Sequence, residues 1–143
     1  MIAHASEDVG LANSNALMVV TSAMTAYQQI GLPEGLLSLS HAIIYVCVSP
    51  KSNSVLLAMH KAQDDVETTF NDAVPGHLKN YNYMNEKRAK YKYPHDYGGF
   101  VLQQYLPDSI ADHVYYVPSE NGAEKNIKVP EPYSKRKGGN KND

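Results

Sequence analysis

Apolar positions recur with helical spacing through the first half of this 143-residue chain and lose that order after Phe70. Met1 to Val9 reads as the last turns of a helix ended by Gly10, opening without an N-cap as a piece of something longer would. Asn13 or Ser14 then caps a second helix. In it Ala16, Val19, Ala23, Ala26 and Ile30 form one apolar stripe, and Leu17, Val20, Met24 and Tyr27 form another beside it. The doubled face is wider than one partner helix covers, which marks Leu17, Val20, Met24 and Tyr27 as candidates for an interface between copies.

Gly31 ends the second helix, and Leu32-Pro33-Glu34 starts a third with proline near the first turn. This third helix runs to about Val48 and is apolar on nearly all sides over its last two turns, so it is predicted to be the most buried element. Ser49-Pro50 repeats the start signal for a fourth helix, in which Val55, Met59, Ala62, Val66 and Phe70 mark the inner face. Lys61, Gln63, Asp64, Asp65 and Glu67 supply its solvated side.

Beyond Phe70, Asn71-Asp72 and Val74-Pro75-Gly76 mark a loop, and Pro94, Pro107, Pro118, Pro130 and Pro132 forbid long helices. The pattern predicts a short helix around Tyr83 to Lys90, a helical turn after Pro107 and a brief extended piece at Val114 to Val117. From about Pro132 the composition cannot bury anything and reads as a disordered tail. The expected architecture is all-α: about four main helices with a proline- and tyrosine-rich, mostly irregular C-terminal wrap. Residues 1–12 form a junction, 13–130 the helical domain and 131–143 a basic tail.

Charge sharpens this division. The net charge of −2 hides an acidic first half and a basic second half, so an anionic partner would meet the second half first. The longest apolar run, Ala42 to Val48, is far short of the roughly twenty residues that cross a bilayer. No membrane partner is expected. A lone Cys47 among Ile43, Ile44, Tyr45, Val46 and Val48 reads as a small buried hydrophobe in a reducing compartment.

The chemistry of an enzyme is missing. The nearest fragment to a phosphate loop, Pro50-Lys51-Ser52, lacks the glycines whose bare backbone would cradle phosphate. His4, His41, His60, His77, His95 and His113 are too far apart for a helical ligand pair, and no nucleophile elbow occurs. No catalytic, cofactor or metal residue is therefore assigned. The segment 79–93 interleaves cations with aromatic rings, as single-stranded nucleic acid requires, and singles out Lys87, Arg88, Lys90, Tyr91, Lys92 and Tyr93 as candidate DNA contacts. An equally physical reading has an extended segment burying Tyr91 and Tyr93 against the helices with Lys90 and Lys92 in water.

Seven blocks occur in order: Ala5-Ser6-Glu7-Asp8-Val9-Gly10-Leu11-Ala12, Gly31-Leu32-Pro33-Glu34, Ile44-Tyr45, Pro50-Lys51-Ser52-Asn53, Val74-Pro75 through His77-Leu78-Lys79-Asn80, Tyr91-Lys92-Tyr93-Pro94-His95 and Gln104-Tyr105-Leu106-Pro107. Together they resemble the C-terminal region of the MgsA/RarA type of AAA+ ATPase, relatives of the Werner-helicase-interacting protein. The resemblance implies a non-catalytic domain that assembles clamp-loader-like ATPases into homotetramers at stalled or damaged replication forks, with recombination and repair roles, in the bacterial cytoplasm near the nucleoid. It also implies that ATP and magnesium bind a motor outside this chain, that Ser6-Glu7-Asp8 is the junction with the motor's lid, and that DNA, a single-strand-binding protein or other replication factors are partners. Two departures stand out: Asn13-Ser14 replaces the usual Asp-Pro, and Glu86-Lys87-Arg88-Ala89-Lys90 replaces a glycine-containing turn.

Overall fold

The structure, a computed structural model, describes residues 1–79 and 90–130. The chain divides into two compact units, residues 63–113 forming one and the flanking segments 1–62 and 114 onward the other. The fold is all-α, and among the described residues no strand is present.

The first unit begins with α1 (Ile2–His4), which continues into a π turn (Ala5–Val9) and then a 3₁₀ turn (Gly10–Asn13). Gly10 makes the change of direction possible with φ +51°, and a Cβ there would lie 2.9 Å from the Ser52 carbonyl oxygen. Helix α2 (Asn15–Ile30) follows and stops at Gly31, whose amide returns to the Tyr27 carbonyl at 2.9 Å. After a cis Leu32–Pro33 peptide, α3 (Gly35–Val48) packs along α2, and α4 (Ser54–Thr69) continues into the second unit.

The helix boundaries agree with the apolar pattern at Gly10, Ser14, Gly31, Val48 and the end of α4; α3 starts at Gly35, just past Leu32-Pro33-Glu34, and α4 starts later than expected. Ser14 is the N-cap of α2 without a side-chain bond, because Asn13 instead donates to the Tyr45 hydroxyl and Ser49 Oγ, both at 3.1 Å. Ser49 does not start α4. It closes α3, with Oγ donating to the Tyr45 carbonyl at 2.7 Å, and the chain runs extended until Ser54.

A larger correction concerns burial. The core of this unit is made of small side chains: Ala5, Val9, Ala16, Val20, Ala23 and Ala42, with Val19, Tyr45 and Val46 packed on it. Helix α3 buries only Gly35 and Ala42 and is therefore not the most buried element. Cys47 is exposed, and so are Val55, Met59, Val66 and Phe70 of the presumed inner stripe of α4. The reason lies at the contact between α2 and α3. A Cβ on Gly35 would sit 2.9 Å from Cδ2 of Tyr27, so the helices meet through their smallest residues and turn the large ones outward.

The second unit holds the last turns of α4 and 3₁₀ turns at Gly76–Leu78, Pro94–Tyr97 and Asp108–Ile110, the last being the helical turn expected after Pro107. It is closed by His113 Nδ1 against Asp65 Oδ2 at 2.6 Å, Ser109 donating to Asp72, and His77 Nε2 donating to the Gln104 carbonyl at 2.7 Å. The short helix expected around 83–90 lies outside the described residues, apart from Lys90, which is not helical; the tail from 131 also lies outside them. Residues 114–117 belong to the first unit and are irregular, without ladder partners.

Candidate functional site

Small residues at the contact between α2 and α3 leave an outer face built of large ones. On α3 it carries Leu36, Leu37, Ile43, Ile44 and Val48, with Leu37 77% and Ile44 61% exposed. Helix α2 adds Leu17, Met18, Met24 and Ile30, all exposed. Of the four interface candidates read from the stripe, Leu17 and Met24 are on the surface and Tyr27 is half-buried over Gly35, whereas Val20 is 2% exposed and belongs to the core. The residues missed were those of α3. A legible signal for them existed: from Val9 to Pro50 the sequence has one charged side chain, Glu34, although a fifth of the whole chain is charged.

Between the two helices runs a groove of about 350 Å³ lined by Met18, Val19, Ala26, Ser38 and His41 among others. Ser38 Oγ ties the helices together, donating to the Gly35 carbonyl at 2.8 Å and the Ala23 carbonyl at 3.2 Å. A surface of this kind, ridged, apolar and uncharged, suits contact with another apolar surface.

The basic and aromatic strip belongs to the second unit. Lys90, Tyr91, Lys92 and Tyr93 lie outside any helix, Tyr93 with extended backbone, and both rings are open to solvent, Tyr91 at 41% and Tyr93 at 54%. Burial of both rings is thus overturned. Gln103 explains the geometry: its side-chain amide pairs with the backbone of Lys92, accepting from the amide at 3.0 Å and donating to the carbonyl at 2.7 Å. The Tyr93 ring lies 5.0 Å from that of His95, tilted by 49°. Lys87 and Arg88 lie outside the described residues.

A third feature had no sequence signal. Glu124 is 0% exposed, and its carboxylate accepts hydrogen bonds from Ser54, from Tyr116 at 2.9 Å and from Ser119 at 2.6 Å, while Ser52 Oγ donates to Ser54 Oγ at 3.1 Å. Burial pushes this carboxyl up, but the hydroxyls of Ser119, Ser52, Ser54 and Tyr116 together outweigh it and hold Glu124 down at about 2. Burial first, then the bond to Glu124 and its negative charge, push Tyr116 up to about 12.

These residues do not fit a nucleotide. Lys51 Nζ is spent on the carboxyl end of α3, donating to the carbonyls of Ser49 at 2.5 Å, Val46 at 2.7 Å and Cys47 at 3.3 Å, and Ser52 is buried. Among the described residues no group of three or more His, Cys, Asp or Glu side chains is placed to hold a metal ion, and no helix is long and apolar enough to cross a membrane.

The domain is all-α, and its first unit displays an apolar face without formal charge on α3. The chain belongs to the family described as the MgsA AAA+ ATPase C terminal, which matches residues 1–133. It is 40% identical over 121 residues to replication-associated recombination protein A of Bacillus subtilis, covering 81% of this chain and 29% of that protein. It is 36% identical over 134 residues to the protein of the same name in Haemophilus influenzae, covering 90% of this chain and 30% of the relative. ATPase WRNIP1 of Dictyostelium discoideum is 31% identical over 122 residues, covering 81% of this chain and 14% of that ATPase. The chain thus spans less than a third of the length of these curated relatives.

Proposed function

We propose that this domain is a self-association module, tetrameric in its final form, that gathers copies of an AAA+ motor acting in replication-associated recombination. The observation that carries the reading is the outward display of Leu36, Leu37, Ile43, Ile44 and Val48 on a helix with no formal charge. Covering a Leu or Ile side chain fully is worth about 1.5–3 kcal/mol, so several half-covered ones make a strong adhesive surface. A second copy suits this surface because symmetric contact sets like residues near like, which a charged face would resist and this one does not. In this reading the motor supplies the ATP and magnesium site from sequence outside the chain, and the domain works in the cytoplasm. Light scattering on the purified chain tests it: a tetramer at tens of micromolar is expected, and a monomer overturns it.

A second reading is favoured by the exposure of Tyr91 and Tyr93 between Lys90 and Lys92. The strip 79–93 would contact single-stranded DNA through its cations and ring faces. The two readings are compatible, since assembly multiplies weak patches by avidity.

A further inference from the structure

We infer that residues 114–126 form a releasable strap that holds the N-terminal joint, residues 5–13, in place, and that the joint can loosen while α2 and α3 stay packed. The joint is held from outside as well as from within: Asn13 bonds to Tyr45 and Ser49 of the α3 end, and the strap and the segment before α4 supply the rest. Within it the backbone passes through a π turn, a positive-φ glycine and a 3₁₀ turn, and two of its carbonyls are paired with distant amides. Ser52 N donates to the Asp8 carbonyl and Ala123 N to the Ala12 carbonyl, both at 2.8 Å. Mixed helical patterns of this kind mark places where a chain changes path.

The strap meets the joint at a point that admits only glycine. At Gly122, φ is +54°, and a Cβ would lie 2.2 Å from the Ala12 carbonyl oxygen and 2.6 Å from Cγ of Pro50. Behind that contact, Glu124 gathers Ser54 of α4 with Tyr116 and Ser119 of the strap itself. Asn121 Nδ2 donates to the Lys51 carbonyl at 2.9 Å, and Lys61 Nζ donates to the Val114 carbonyl at 2.6 Å. The strap's grip is therefore polar and steric. The apolar hold on the joint comes from three small residues, Ala5, Val9 and Ala12. Helices α2 and α3 are joined by Ala16, Val20, Ala23, Ala42 and the Ser38 bonds, to which the strap contributes no side chain. Loss of the grip removes little from that pair.

Under the reading proposed above, and resting on it, the joint is where the motor meets the assembly body. The strap then sets how stiffly one is held to the other. Amide hydrogen exchange on the whole chain, in whatever oligomer it forms, tests the strap itself. In Glu124→Gln, amides of residues 5–13 are expected to exchange at least tenfold faster, and to gain a clearly larger factor than those of residues 16–30 and 36–48. Tyr116→Phe, which deletes one hydroxyl and keeps the ring, is expected to move the same amides by a smaller factor, and it carries the test if the first variant does not fold. Equal acceleration in joint and helices, or none in the joint, overturns the inference. Light scattering on the same samples reports self-association separately, so a failure of one idea is not mistaken for a failure of the other.

Discussion

The Ser54 hydroxyl and the Glu124 carboxylate, seventy residues apart, share a buried hydrogen bond. It joins the first residue of α4 to a 3₁₀ turn near the end of the described chain. Among the described residues, every side chain that bonds this ionised carboxylate does so through a hydroxyl rather than a cation. Burial of the charge is tolerated only because those hydroxyls surround it, and this makes its removal costly.

Glu124→Gln is expected to destabilise the domain by about 1–3 kcal/mol at neutral pH, the usual cost of leaving buried donors poorly paired. The pH dependence has a definite sign. The folded state holds Glu124 at about 2 against an ordinary 4.5, so its contribution is complete above 4.5 and is lost as pH falls towards 2. Denaturant titrations of both proteins should therefore converge in acid; a gap that stays constant would show that the carboxylate charge is not what matters.

Tyr116 should ionise near 12, and Glu124→Gln should lower it by removing a hydrogen bond and a negative charge, with burial still holding it above the ordinary 10. Its raised value means that the folded state favours the neutral phenol, so stability from this group is lost as pH rises from 10 towards 12. Near-ultraviolet absorbance during an alkaline titration checks both statements.

Gly122→Ala combines a positive φ with a collision and is expected to cost about 2 kcal/mol or more. Gly98→Ala is the control. Gly98 is left-handed at φ +73° with nothing within 4 Å of its added Cβ, so only the backbone cost of about 1–2 kcal/mol applies. Thermal melts that rank the two variants the other way would contradict the close approach to Ala12.

Leu37→Lys together with Ile44→Lys should weaken self-association on the order of a hundredfold while leaving helicity unchanged, since both side chains are exposed within the chain. Sedimentation paired with circular dichroism separates these effects. Retained assembly would place the interface elsewhere.

Charge reversal at Lys87, Arg88, Lys90 and Lys92 should weaken binding to single-stranded DNA. It should also flatten the dependence of log affinity on log salt by about 0.7 for each phosphate that the strip no longer neutralises. Unchanged affinity in a fluorescence titration would remove the DNA reading.

Helix ends were legible wherever the signal was local. Gly31 ends α2 because its φ of +75° suits glycine, and Gly10 does the same for the π turn before it. Ser49-Pro50 misled because the same residues that can open a helix can close one, and Ser49 bonds backwards to Tyr45. Glu124 was invisible in its setting of Asn121-Gly122-Ala123, since Ser52 and Ser54 come from the other side of the fold. The apolarity of α3 was plain, but its direction was not. Burial was inferred from hydrophobicity, whereas the small residues Gly35, Ala42 and Ala23 decide what lies inside.

The pairing of Ala12 with Ala123 has a consequence for the order of events on the ribosome. Helices α2 and α3 are neighbours in sequence and can pair as soon as both have emerged. The joint, made before them, cannot close until the turn at Gly122 appears, which at roughly 5–20 residues per second is on the order of ten seconds later. During that interval the apolar face of α3 is already on display, so under the proposed self-association copies being made on one messenger would meet before the joint has settled.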